Sequence, residues 1–163
     1  MADSVAECCL DLLNLETVEA LQRKLDADGE DRSIMYPKLE GIGFSVGHRF
    51  VERCTRTRTP RLSEPLDIVK FLCKDLWMLL FHKKIDKLQT NHRGVYVLQD
   101  YKFRWLRRFS AATDEATKRE ALKYLIMPCG IIRGALANLG VNAIITADIT
   151  DVPSCIFNIK MRH

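Results

Sequence analysis

Two pairs of glycines constrain this 163-residue chain more than any other feature. Gly43 and Gly47 share one apolar stretch, and Gly130 and Gly134 share another. In the second, Cys129, Ile132, Leu136 and Leu139 recur at helical spacing, beside a stripe of Gly130, Gly134 and Ala137 with almost no side chain. Each glycine inside a helix costs roughly 1 kcal/mol against alanine. Two on one face are expected only where another backbone presses closely. Arg133 stands among these small residues, so its guanidinium is expected to reach solvent, a carboxylate or exposed carbonyls. Gly140 suits the position just past the helix end. Residues 128–140 therefore read as the central packed helix.

Taken in order, the chain opens on Ser4-x-x-Glu7, a capping box in which hydroxyl and carboxylate each satisfy a free backbone donor. The helix it starts runs to about Leu25, with Gly29 in the exit loop. Cys9, Leu10, Leu12, Leu13 and Leu21 point its apolar character in more directions than one core accepts, which suggests a shared, partner-facing helix. A second helix is expected from Pro37, with Leu39, Ile42, Val46 and Phe50 as its stripe and Gly43 and Gly47 as its bare face. Phe44 and Phe50 add aromatic surface beside those glycines. Residues 52–63 read as a basic loop, and Ser63 caps a third helix with Pro65 in its first turn. From Leu66 to Phe81 that helix is apolar on nearly every side, so it is expected to be the most enclosed.

A strand is expected over 95–98 and a second near 103–108, joined by a turn around Gln99-Asp100. Residues 111–120 read as a polar, alanine-rich loop. Two alternating strands finish the chain: Ala143, Ile145, Ala147 and Ile149 share one face, and Cys155, Phe157, Ile159 and Met161 share another. The order ααα-ββ-α-ββ gives an α+β fold, four helices packed with a short antiparallel sheet of about four strands. The whole of 1–163 reads as a single domain, long enough to bury a core without metals or disulfides.

Composition limits the chemistry. A 47% hydrophobic and 28% charged chain is globular rather than disordered. A net charge of +4 does not announce a nucleic-acid binder. The six cysteines (8, 9, 54, 73, 129, 155) form no C-x-x-C pair, and neither they nor His48, His82, His92 and His163 have metal-ligand spacing. They read as reduced thiols in a cytosolic protein, with no metal and no cofactor. No apolar run approaches membrane-spanning length, and the acidic N-terminus lacks a signal peptide's basic start.

Gly43-x-Ser45-x-Gly47 matches the nucleophile elbow of serine hydrolases, but that motif needs a strand, a strained turn and a helix. Here helical periodicity continues on both sides, which puts Ser45 in mid-helix. The arginines Arg49, Arg53, Arg56, Arg58 and Arg61 fit either phosphates, including those of a membrane surface, or a solvated loop. Residues 103–108 mix aromatic and basic side chains without the glycines of the RNA-reading strand motif. Cys8-Cys9 can accept a lipid or serve as small apolar positions on a helix face.

The run Leu39-Glu40-Gly41-Ile42-Gly43-Phe44-Ser45-Val46-Gly47, with Cys129-Gly130-Ile131-Ile132-Arg133-Gly134, resembles the small subunits of the transport protein particle (TRAPP). The stretches 67–77 and 85–100 point to its subunit-six branch, and with 153–157 the ordered matches cover most of the chain from Leu39 onward. The first 35 residues resemble the family chiefly in being an apolar helix and loop. The resemblance implies a non-catalytic structural subunit of a vesicle-tethering particle acting between the endoplasmic reticulum and the Golgi. It implies a heterodimer with the particle's third subunit, mainly through the first two helices. Nucleotide exchange on a Rab GTPase then belongs to the assembled particle, and membrane contact is peripheral. That third subunit carries an acyl chain on a cysteine ahead of its third helix, whereas the corresponding 55–63 here has no cysteine and places Thr59 near the equivalent position. A different class of function, a module binding a small apolar ligand between helices and sheet, also fits the fold.

Overall fold

The computed structural model describes residues 7–56, 62, 64–91, 93–107 and 115–162. Helix α1 (Glu7–Asp28) ends at Gly29, whose φ of +65° turns the chain so that the Glu30 amide donates to the Leu25 carbonyl at 3.0 Å. The capping serines expected at positions 4 and 63 lie outside the described residues. Helix α2 (Met35–Thr55) keeps Pro37 in its first turn, where the missing N–H has no helical acceptor to lose. Helix α3 spans 65–81 as Pro65–Phe71, a π-helical Leu72–Leu76 and Trp77–Phe81. The Ile85 amide bonds the Cys73 carbonyl at 3.0 Å, folding the exit of α3 back onto the π segment. The expectation that α3 is enclosed all round holds on one side: Val69, Leu72, Leu76 and Trp77 are buried, while Met78 and Leu79 stand exposed.

Helix α4 (Glu115–Asn138) is longer than its sequence pattern suggests. It starts within the stretch expected to be loop and carries Pro128 in its interior. An interior proline costs about 3 kcal/mol, but here it is embedded in a buried run that includes Leu125, Cys129 and Ile132, and their packing holds the helix through it. Gly140 (φ +81°) closes α4 as expected: the Gly140 amide bonds Ala137, and the Val141 amide bonds Leu136 at 2.9 Å.

The sheet is antiparallel throughout in the order β1-β2-β4-β3, from β1 (Lys87–Thr90), β2 (Val95–Asp100), β3 (Ala143–Asp151) and β4 (Ser154–Met161). The first hairpin differs from expectation, because the mate of β2 precedes it. Asn91 Oδ1 accepts the amides of Arg93 (2.9 Å) and Val95 (3.1 Å), and Gly94 takes φ +82°, so the turn lies at 91–94. Residues 104–106, expected in a strand, curl into a 3-10 turn. Phe103, Trp105 and Leu106 are all buried, which alternating strand faces do not permit. They join Trp77, Phe81 and Phe157 in a tilted and edge-packed aromatic cluster with ring centroids 4.6–6.0 Å apart. The inward faces of β3 and β4 carry the residues their alternation assigns, with Cys155, Phe157 and Ile159 fully buried.

The glycine pairs meet each other. A Cβ on Gly43 or Gly47 overlaps the carbonyl oxygen of Met127 or Ile131 on α4, and a Cβ on Gly130 or Gly134 overlaps that of Glu40 or Phe44 on α2. Each helix thus lays its bare face on the other's backbone. The crossing is sealed by Arg133, which pairs with Glu40 at 2.7 Å and lies 4.7 Å over the Phe44 ring.

Candidate partner surface

Helix α1 divides cleanly into two faces. Asn14, Val18 and Leu25 are buried and Leu15 and Leu21 half-buried, an i, i+3/i+4 stripe resting on α2, α4 and the 104–106 turn. Polar ties fix its position: Asp11 accepts from Arg104 Nε at 2.8 Å, and Lys123 Nζ donates to Gln22 at 3.3 Å. The other face presents Cys8, Cys9, Leu10, Leu12 and Leu13 to solvent, with Leu13 63% exposed. On α2, the flank of the glycine crossing carries Ile42 and Val46, both exposed, in line with Arg49 and Arg53 one and two turns on.

The sequence-derived interface set therefore splits. Cys9, Leu10, Leu12 and Leu13 lie outside. Leu21 and Phe50 turn inward against the core, and Phe44 is half-buried at the helix crossing, with His48 beside its ring at 6.0 Å. Ile42 and Val46 take the outward place on α2. Their i, i+4 spacing matches a buried stripe, but the close-packed positions of this helix are glycines, which carry no hydrophobic weight in such a pattern. The basic group changes character too. Since α2 continues to Thr55, Arg49 and Arg53 are helical, Arg56 follows the helix end, and Arg58 and Arg61 lie outside the described residues.

Ser45 sits exposed in the middle of α2, so no nucleophile elbow forms. The buried thiols are poor nucleophiles: burial pushes Cys73 and Cys129 up to about 12 and raises Cys155 and Cys54 as well. Among the described residues no His, Cys, Asp and Glu group is placed to hold a metal, and no helix is long and apolar enough to cross a membrane.

The ionic centre is one the sequence did not announce. Asp100 is fully buried at the end of β2, where it accepts from Trp77 Nε1 at 2.9 Å, from the Lys102 amide at 3.0 Å and from Lys83 Nζ. Lys83 also donates to Asp86 at 2.8 Å, and Asp86 takes the Tyr101 amide at 2.7 Å. For Lys83 burial pulls its pKa down, but its hydrogen bonds and the charges of Asp100 and Asp86 outweigh that and leave it raised. For Asp86 burial acts upward, and the Lys83 and Tyr101 hydrogen bonds overcome it to leave the carboxyl lowered. Lys83 and Asp86, with Asp11, His82, Arg104 and Arg107, border a polar cleft of about 760 Å³. A second, apolar groove of about 500 Å³ runs between the start of α2 (Tyr36, Pro37), α4 (Leu122, Ile126) and β3 (Ile145, Ala147).

A small α+β fold with large apolar residues left exposed on its first three helices has the character of an assembly component. Comparison with known proteins places it further. The chain matches the family "Transport protein particle (TRAPP) component" over residues 10–162. It is 42% identical over 151 residues to "Trafficking protein particle complex subunit 6B" of Homo sapiens, covering 93% of this chain and 94% of that protein. It is 47% identical over 124 residues to "Trafficking protein particle complex subunit 6A" of Bos taurus, 76% of each chain. In fold it is similar to the crystal structure of a trafficking protein particle complex subunit 3 from Naegleria fowleri covalently bound to palmitic acid, with a TM-score of 0.72 and 19% identity over 97% of this chain and 98% of that one. The chain belongs to the TRAPP component family, in its subunit-six branch.

Proposed function

We propose that the chain is a non-catalytic, single-domain structural subunit of a TRAPP vesicle-tethering particle, held there as a heterodimer with the particle's third subunit. The observation that carries this reading is the apolar outer face of α1, Leu10, Leu12 and Leu13, together with the exposed Ile42 and Val46 of α2. Permanent interfaces are large and hydrophobic, and contiguous exposed apolar surface marks where one forms. The membership of the subunit-six branch supports a partner from within the particle. In this reading Rab nucleotide exchange is a property of the assembly, and the chain supplies packing surface to it. It works peripherally at endoplasmic reticulum–Golgi membranes, with Arg49, Arg53, Arg56, Arg58 and Arg61 as the basic surface nearest to hand for anionic lipid.

Co-expression with the third subunit, followed by size exclusion, tests the pairing. The wild-type chain is expected to co-elute. Leu13→Asp, which places an unpaired carboxylate in the buried seam, is expected to elute alone with unchanged circular dichroism. Co-elution of both Leu13→Asp and a form lacking residues 1–25 puts the interface on another face.

A further inference from the structure

Strand β3 is a sheet edge, hydrogen-bonded to β4 alone. Just before the Ala143↔Met161 pair the Arg162 amide donates to the Asn142 carbonyl at 2.8 Å, which fixes the bonding phase of the ladder. Antiparallel bonding alternates residue by residue. Asn142, Ile144, Thr146 and Asp148 therefore turn their amides and carbonyls toward β4, and Ala143, Ile145 and Ala147 aim theirs at the free edge. Among the described residues no loop or turn hydrogen bond reaches those three.

Sheet edges are ordinarily guarded by shortness, lysine, proline or a bulge. The other edge, β1, is four residues long and begins with Lys87. Strand β3 is nine residues long with neither lysine nor proline, and its register shift falls between Ile149 and Asp151, beyond Ala147. Directly beside it lies the apolar groove, in which Ile145 and Ala147 face Tyr36 and Ile126. Free main-chain donors and acceptors next to an apolar trough are the two parts of a strand-addition site: the ladder supplies affinity, and the trough selects alternate side chains.

We propose that the β3 edge takes an extended peptide segment of another protein as an added strand, with an apolar side chain seated in the groove. The peptide alternates apolar residues on the groove face with polar ones on the solvent face. Asp148 and Asp151 are exposed on β3, so charge complementarity puts a lysine or arginine on the peptide's outer face. The groove includes none of Cys9, Leu10, Leu12, Leu13, Leu21 or Phe44, so this site stands apart from the helical partner surface.

Panning a random peptide library displayed on phage against the full chain tests the proposal. Enriched peptides are expected to alternate apolar with polar residues and to carry a basic residue. A synthetic copy is expected to slow hydrogen exchange at the Ile145 and Ala147 amides. Ala147→Pro deletes a donor on the free edge while sparing the bonds to β4, and is expected to weaken binding about tenfold or more. Asp148→Lys, at an exposed position, is expected to keep the fold and shift enrichment from basic to acidic peptides, and it decides the matter if Ala147→Pro does not fold. Leu13→Asp is expected to leave peptide binding unchanged. The proposal is overturned by absence of enrichment, by protection elsewhere on the chain, or by a folded Ala147→Pro that binds as well as wild type. It is also overturned if the chain alone dimerises with these amides already protected, since a second copy then occupies the edge.

Discussion

At the scale of single residues, the tightest constraint is the absence of four side chains. Gly43, Gly47, Gly130 and Gly134 each lie where a Cβ overlaps a carbonyl oxygen of the opposite helix. A backbone carbonyl cannot swing aside as a side chain can, so Gly134→Leu is expected to destabilise by ~1–3 kcal/mol or more. Urea unfolding measures this, and an unchanged midpoint contradicts the crossing. Asp100 is the second such residue: removing it in Asp100→Ala leaves the Trp77 N–H and the Lys83 ammonium without their buried acceptor, a change of ~3–5 kcal/mol in comparable pairs. Its neighbours give the pH dependence. The lowered Asp86 contributes stability that is full above its unfolded value and is lost as pH falls through the folded one. The raised Lys83 contributes below its unfolded value and loses that contribution as pH rises through its folded one. Asp86→Asn is therefore expected to flatten the acid limb of a stability–pH curve; an acid limb as steep as that of wild type removes Asp86 from the account. Thiol chemistry follows burial: at pH 8 iodoacetamide is expected to modify Cys8 and Cys9 and to spare Cys73, Cys129 and Cys155, and peptide mapping reads the outcome.

At the scale of elements, periodicity recovered what depends on local pattern. The four helices and the terminal hairpin follow from apolar spacing, and the end of α4 follows from Gly140. The elements that differed are those decided by distant contacts. Residues 103–106 have strand-like composition, yet packing with Trp77, Phe81 and Phe157 draws Phe103, Trp105 and Leu106 inward and a 3-10 turn results. Pro128 looks like a helix start until burial on both sides of it carries α4 back to Glu115. The stripe expected on α2 divides for a related reason: Gly43 and Gly47 sit at the centre of the buried face between Leu39 and Val51, so Leu39 is buried while Ile42 and Val46 are exposed. The Asp100–Lys83–Asp86 centre was not legible, because nothing in spacing shows that the ends of α3 and β2 meet. The α1 face, by contrast, was legible in its excess of leucines. Because α1 touches the rest of the chain through one stripe and a few polar ties, Leu13→Asp is expected to leave the helix content intact, which circular dichroism reports.

At the scale of the whole molecule, the α2–α4 crossing and the sheet form an interior that closes on itself, and α1 is left with an apolar exterior. The family's subunit-three relative carries palmitic acid covalently. In this chain residues 55–63 include no cysteine, so intact mass after expression in a eukaryotic host is expected to show no hydroxylamine-sensitive adduct. A near-stoichiometric adduct contradicts that and points to Cys8 or Cys9. The central claim is that α1 and the outward side of α2 are covered in the assembly while the glycine crossing is internal to the chain. Hydrogen exchange, read on the chain alone and again in complex with the third subunit, tests it most directly. The account predicts slowed exchange confined to the amides of residues 9–13 and 42–46 on forming the complex, with 127–134 equally protected in both states. Unchanged exchange at 9–13 and 42–46, or new protection at 127–134, contradicts it.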